Sequence, residues 1–197
     1  MSVSTSGGTC ASNVTFSVTA TDNCGTANVT CDPASGSSFA LGATTVNCFA
    51  EDGHGNTNSC SFTVTVSDME APILACAANM SVSTSGGTCA SNVTFSVTAT
   101  DNCGTANVTC DPASGSTFAL GATTVNCFAE DGHGNTNSCS FTVTVADDEA
   151  PVLACTGNVS VSTSGGVCAS NVSFTVTATD NCGTANVTCA PDRKSVV

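Results

Sequence analysis

The sequence predicts an all-β chain of tandem antiparallel β-sandwich modules stapled by disulfides. Three observations carry that expectation: an internal repeat of 79 residues, strict alternation of apolar and polar side chains inside each copy, and six cysteines in every period.

The repeat is read directly. MSVSTSGGTCASNVTFSVTATDNCGTANVTCDPASGS begins at Met1 and again at Met80, and a near copy begins at Val159. The copies over 1–79 and 80–158 differ at six positions, among them Ser38 against Thr117 and Ile73 against Val152. Because Met1 falls where Met80 sits inside a strand pattern, the first copy reads as N-terminally truncated; the third, ending after about 33 residues, reads as C-terminally truncated. The expected modules are residues 1–68, 69–147 and 148–191. Residues 192–197, which hold Arg193 and Lys194, the chain's whole basic complement, depart from the other copies and read as a non-native tail.

Within the second copy, NVTFSVTAT from Asn92 to Thr100 puts Val93, Phe95, Val97 and Ala99 on one face, and SFTVTV from Ser140 does the same with Phe141, Val143 and Val145. Short β-branched runs between turn residues predict strands near 80–84, 92–100, 106–110, 117–120, 122–130 and 136–145. The Gly-rich DGHGN between the last two predicts a hairpin. No window predicts a helix. A sandwich of this size buries a modest core and needs covalent help.

Cysteine is the source of that help. Pairing neighbours in order joins Cys76 to Cys89, Cys103 to Cys110 and Cys127 to Cys139, the last pair across the DGHGN hairpin. Extended along the chain, the rule joins Cys24 to Cys31, Cys48 to Cys60, Cys155 to Cys168 and Cys182 to Cys189, leaving Cys10 with a partner expected upstream. Zinc fits these spacings poorly, since they are not C-x-x-C pairs and the chain has two His. Disulfides predict an oxidising, extracellular compartment.

The ordered motifs EAPILAC, SGGTCASNVTF, ATDNCG, VTCDPASGSTFALGATTVNC and AEDGHGNTNSCSFTVTV resemble the hyalin repeat, or HYR module. The resemblance covers nearly the whole chain to Pro191 and implies immunoglobulin-like extracellular modules used in tandem by adhesive or matrix proteins. The chain departs from the family pattern at Cys76-Ala77, where Cys-Pro is usual, and at Phe49 and Phe128, where a small polar residue is usual. The parity of both Phe is opposite to the core, so they are expected to face a neighbouring module, a partner chain or a glycan.

Composition excludes several functions. With 15 Asp and Glu against 2 basic residues and a net charge of -13, the chain lacks the basic cluster that nucleic acid or an anionic membrane requires. No apolar run approaches the roughly 20 residues of a membrane-spanning helix. Without Trp or Tyr there is no usual platform for stacking sugars. His54 and His133 stand beside carboxylates in EDGHGN, but at a hairpin tip with no nucleophile nearby, so no catalytic residue and no enzyme activity are expected.

Two kinds of site remain. Asn13, Asn28, Asn79, Asn92, Asn107, Asn158, Asn171 and Asn186 each open an N-x-S/T sequon, and in a strand the Asn and the hydroxyl residue share the wet face. Covalent glycans are expected on several of them. Asp68 and Glu70, and Asp147 and Glu149, lie where one copy passes to the next; their hard oxygens make them candidates for a structural Ca²⁺. Glu51, Asp52, Glu130, Asp131 and the DN-turn residues Asp22, Asp101 and Asp180 are possible further donors. The expected role is a structural segment of an extracellular, glycosylated fibre or cell-surface filament, its partners being neighbouring modules and copies of itself. The alternative is a spacer in an adhesion or receptor protein whose binding domain lies elsewhere.

Overall fold

In the computed structural model, which describes residues 1–163 and 165–190, every regular element is a β-strand. The tail expected at 192–197 lies outside the described residues. The chain divides into two compact units, one of Met1–Ala77 with Ser96–Ala113 and Asn126–Ser140, the other of Ala78–Phe95 with Ser114–Val125 and Phe141–Val197.

The first copy shows how the pattern folds. Strands β1 (Ser2–Ser4), β2 (Ala11–Asn13), β3 (Asn28–Asp32), β4 (Ser38–Ala40), β5 (Gly42–Glu51) and β6 (Thr57–Ser67) form a four-stranded sheet ordered β1-β6-β5-β3 and a two-stranded sheet, β2-β4. The DGHGN hairpin forms as expected, with Glu51 opposite Thr57, while β1 adds to the far side of β6 in parallel. Alternation sends Val46 and Cys48 of β5 and Val64 and Val66 of β6 inward to meet Phe39 of β4 and Val14, closing a sandwich core. Phe16 and Phe62 extend it edge to face, with ring centroids 5.0 Å apart. Gly42, at φ +99°, makes the turn that carries the chain from one sheet to the other, a conformation a side chain would strain.

Over the second expected module, 69–147, β7 (Ile73–Ala75), β8 (Met80–Ser83), β9 (Ala90–Asn92), β10 (Thr98–Thr100), β11 (Asn107–Asp111), β12 (Thr117–Ala119), β13 (Gly121–Glu130) and β14 (Thr136–Ala146) repeat the plan, with sheet order β11-β13-β14-β8 and pairs β12-β9 and β10-β7. The single strand expected over 92–100 is two strands with different partners. Val93 still exchanges backbone hydrogen bonds with Ser116 and Gly115, but at Phe95 the Ser114 hydroxyl takes over, accepting from Phe95 N–H and donating to its carbonyl. The chain can then leave β12 and pair at Thr98–Thr100 with β7, a strand the pattern did not predict. Over the third expected module, 148–191, β15 (Val152–Ala154) pairs with β16 (Thr177–Thr179) in the same way.

The disulfides correct the local pairing. None of Cys24–Cys31, Cys48–Cys60, Cys76–Cys89, Cys103–Cys110, Cys127–Cys139, Cys155–Cys168 or Cys182–Cys189 forms. The bridges are Cys31–Cys48, Cys110–Cys127, Cys76–Cys139, Cys10–Cys103 and Cys89–Cys182. Cys48 lies opposite both Cys31 and Cys60 in its sheet, so register alone does not choose. Its Cα is 4.0 Å from that of Cys31, the close spacing of a non-hydrogen-bonded antiparallel pair. A residue's N–H and C=O point to one side, so its pair with Cys60 is the wider, hydrogen-bonded kind. Cys139, the counterpart of Cys60, instead bonds Cys76, which leads out of β7.

Cys10 and Cys89 sit in SGGTC loops closed by Thr9 N–H to Ser6 O and Thr88 N–H to Ser85 O; each bonds the DNCG turn of the following copy, 93 residues on. Cys24, Cys60, Cys155, Cys168 and Cys189 are unpaired. Each is the counterpart, one period away, of a bonded cysteine whose partner's counterpart would fall outside positions 1–197.

Cleavage at the 3 Met with cyanogen bromide should leave the fragments around Met69 and Met80 joined until reduction, through Cys10–Cys103 and Cys76–Cys139. Release of the fragment ending at Met69 without reductant would contradict the cross-copy bridge. Phe118 is buried at 2% exposure and Phe128 is 44% exposed, so Phe118→Ala should cost about 3–5 kcal/mol in urea unfolding and Phe128→Ala less than about 0.5 kcal/mol.

Candidate functional site

The chemistry-bearing side chains collect where the SGGTC loop of the first copy, the segment after β6 and two turns of the second copy meet within the first unit. Each arrives for a local reason. The acidic run after β6 folds onto the copy that precedes it: Asp68 Oδ1 accepts from Thr5 Oγ1 at 3.3 Å and from Glu70 N–H at 3.2 Å, and Glu70 Oε2 accepts from Gly8 N–H at 2.9 Å. In the DNCG turn, Asp101 Oδ1 accepts from Cys103 N–H at 2.9 Å, an Asx turn that sets Cys103 toward Cys10. Asn102 then reaches back, its Nδ2 donating to Thr9 O at 3.1 Å and lying 3.5 Å from both Thr5 Oγ1 and Asp68 Oδ1.

The hairpin between β13 and β14 supplies the third element. Asp131 Oδ1 accepts from His133 N–H at 2.8 Å and Asn135 N–H at 2.9 Å, and Oδ2 accepts from Asn135 Nδ2 at 2.7 Å. Gly134, at φ +90°, completes the tight loop. His133 Nδ1 comes to 3.3 Å from Asp68 Oδ2. Asp68 and Asp131 are 7% and 6% exposed, and one ligand atom from each of Asp68, Asp131 and His133 lies within 4.8 Å of the others.

One carboxyl of this cluster, Asp131, titrates below its ordinary range. Burial acts to raise Asp131, but the hydrogen bonds from Asn135 and His133, with the charge of a protonated His133, outweigh it. At the matching hairpin of the first copy, the Asn56 side chain, then Asn56 N–H and His54 N–H, hold Asp52 low in the same way.

Of the four residues expected to bind calcium, Asp68 joins this cluster, whereas Glu70 turns to Gly8. Asp147 and Glu149 copy the hydrogen bonds of Asp68 and Glu70: Asp147 accepts from Thr84 and from Glu149 N–H, and Glu149 accepts from Gly87 N–H. Among the described residues neither belongs to a group of three potential ligands. All eight sequon Asn are exposed. Asn79 and Asn92 accept from Thr142 N–H and Thr117 Oγ1 through Oδ1, and the hydrogen bonds of these two side chains leave Nδ2, the atom an N-linked glycan would use, uncommitted. Phe49 and Phe128 are exposed, as their parity requires.

Sequence reasoning passed over Asn102, Thr5 and Thr9. The recurring order acid, amide, cysteine at 22–24, 101–103 and 180–182 was the available sign, since Asn181 repeats the contacts of Asn102 with Thr84 and Thr88.

The depressed carboxyls give the hairpins a signed pH dependence. Because their pKa is lower folded than unfolded, the stabilisation is complete above the unfolded value near pH 4 and disappears as pH falls through the folded value. Amide-exchange protection of His133 and Asn135 should therefore fall in acid, and Asp131→Asn should remove that acid limb; a wild-type profile flat to about pH 2 would count against it.

The family comparison agrees with the repeat structure. The HYR domain matches residues 3–66 and again 67–145. Hyalin of Strongylocentrotus purpuratus is 36% identical over 178 residues, which is 85% of this chain and 15% of hyalin. Among solved structures, cadherin domains 3–6 of protocadherin gamma B2 align with 57% of this chain and 35% of their own at 21% identity and a TM-score of 0.32. Human CDH23 EC21–23 aligns with 61% of this chain and 52% of its own at 14% identity and a TM-score of 0.35. With two tandem matches over most of its length, the chain belongs to the HYR domain family.

Proposed function

We propose that this chain is a structural segment of an extracellular, glycosylated fibre or matrix filament, built from HYR modules in series. The observation that carries this reading is the cross-copy bridge, formed twice with the same 93-residue separation, as Cys10–Cys103 and Cys89–Cys182. A bond from each copy to the next makes the array resist pulling and backbone cleavage, properties a load-bearing strand needs and a single soluble binding domain does not. Stability of such an array is a sum over copies and nearest-neighbour junctions, so length adds no new folding problem.

The surface suits the same role. The described residues contain no Lys or Arg, and the wet faces of the strands carry Asn, Ser and Thr. Eight exposed sequons offer a way to cover that surface with glycans. Disulfides of this density belong to an oxidising compartment, which supports secretion to the cell surface or matrix. Exposed Phe49 and Phe128 offer apolar contacts for association with further modules or chains.

Electron microscopy of material extracted from the source without reductant should show filaments; isolated flexible monomers would overturn the fibre reading. Intact mass of the secreted protein should fall on N-glycosidase treatment, and an unchanged mass would remove the glycan coat from it.

A further inference from the structure

Asp68 is held through only one of its two carboxylate oxygens. Its Oδ1 is committed to Thr5 and Glu70, but Oδ2 is buried and takes no hydrogen bond. The side chain of Asp68 has no exposed surface. A buried carboxylate oxygen without a donor is strongly unfavourable unless a charge compensates it, and among the described residues there is no Lys or Arg to do so. Asp131 adds a second buried carboxylate to the same group. One imidazole cannot neutralise two carboxylates, and His133 Nδ1 faces Asp68 Oδ2 at 3.3 Å without hydrogen-bonding it.

We propose that Asp68, Asp131 and His133 form a binding site for a divalent transition-metal ion of the zinc class, which would tie the acidic segment after β6 to the hairpin between β13 and β14. The donor set selects the metal. Imidazole nitrogen with two carboxylate oxygens suits Zn²⁺ and its neighbours, whereas Ca²⁺ takes six to eight oxygens and no nitrogen. Three protein ligands leave a fourth position of a tetrahedron for water, and His133, with its side chain 33% exposed, provides the open side. The ligands are held in advance: Thr5 and Glu70 N–H fix Asp68, while Asn135 and His133 N–H fix Asp131. Oδ2 of Asp68 is the lone pair this arrangement leaves unused. The site is separate from the fibre reading and stands or falls independently of it.

The test uses the full chain, secreted with its disulfides intact, without a polyhistidine tag, and with Cys24, Cys60, Cys155, Cys168 and Cys189 alkylated so that thiolates do not bind metal. Titration calorimetry with Zn²⁺ should show a site that His133→Ala weakens by roughly tenfold or more. Asp68→Asn should do the same. His54→Ala, on the matching hairpin where no three-ligand group forms among the described residues, should leave it unchanged. Because His133 is at an exposed loop tip, its variant keeps the test valid if Asp68→Asn fails to fold. Zn²⁺ binding equal in wild type and His133→Ala would overturn the proposal, as would no binding at all, or Ca²⁺ filling the site with no dependence on His133.

Discussion

A bond between Cys10 and Cys103 spans 93 residues, 14 more than the 79-residue period, and so joins the SGGTC loop of one copy to the DNCG turn of the next. Much else follows from it. Cys103 reaches Cys10 because Asp101 bends its turn, and that turn places Asn102 where it can donate to Thr9. The acidic run after β6 meets the same turn, where Asn102 Nδ2 lies 3.5 Å from Oδ1 of the buried Asp68. The equivalent bond from Cys89 to Cys182 brings Asn181 to Thr84 and Thr88 by the same route. The first compact unit accordingly takes in segments of the second copy. A repeat of this chain is thus a period of sequence more than a self-sufficient body, since the first unit takes in segments of the following copy.

A second constraint is that the described residues include no Lys or Arg. In most proteins a buried Asp finds an Arg or Lys; here the carboxylates are held by backbone N–H, hydroxyl and amide donors. Asp52 and Asp131 close their own hairpins, Glu70 and Glu149 cap the SGGTC loops at Gly8 and Gly87, and Asp101 and Asp180 close the DNCG turns. Each bond uses a donor already displayed by a turn, so the acidic residues organise loops without ion pairs. Asp68 Oδ2 stands outside this arrangement and takes no such donor.

Legibility in the sequence followed the range of each interaction. Alternation announced the inward faces of β13 and β14, where Val125, Phe141, Val143 and Val145 are buried as their parity demands. The DGHGN hairpin was readable because both of its strands lie within a few residues of the turn. The pairing of Cys48 was not, because Cys31 and Cys60 both lie opposite it and only the hydrogen-bonding phase of the sheet separates them. Nor was the break within 92–100, which depends on Ser114, 19 residues from Phe95, replacing a backbone partner.

The sequence by itself determined the period, through the identity of its copies, and the all-β class with its inward and outward faces, through side-chain alternation within a strand; the same alternation places the sequons Asn13, Asn28, Asn92 and Asn107 on the wet face of theirs. Tertiary structure alone decided which copy each cysteine and each junction carboxylate serves. Identical copies present identical local sequence, so nothing near Cys10 distinguishes Cys24 from Cys103. The choice is made by distance after folding, which brings the 4.7 Å Cα separation of Cys10 and Cys103 out of a 93-residue gap.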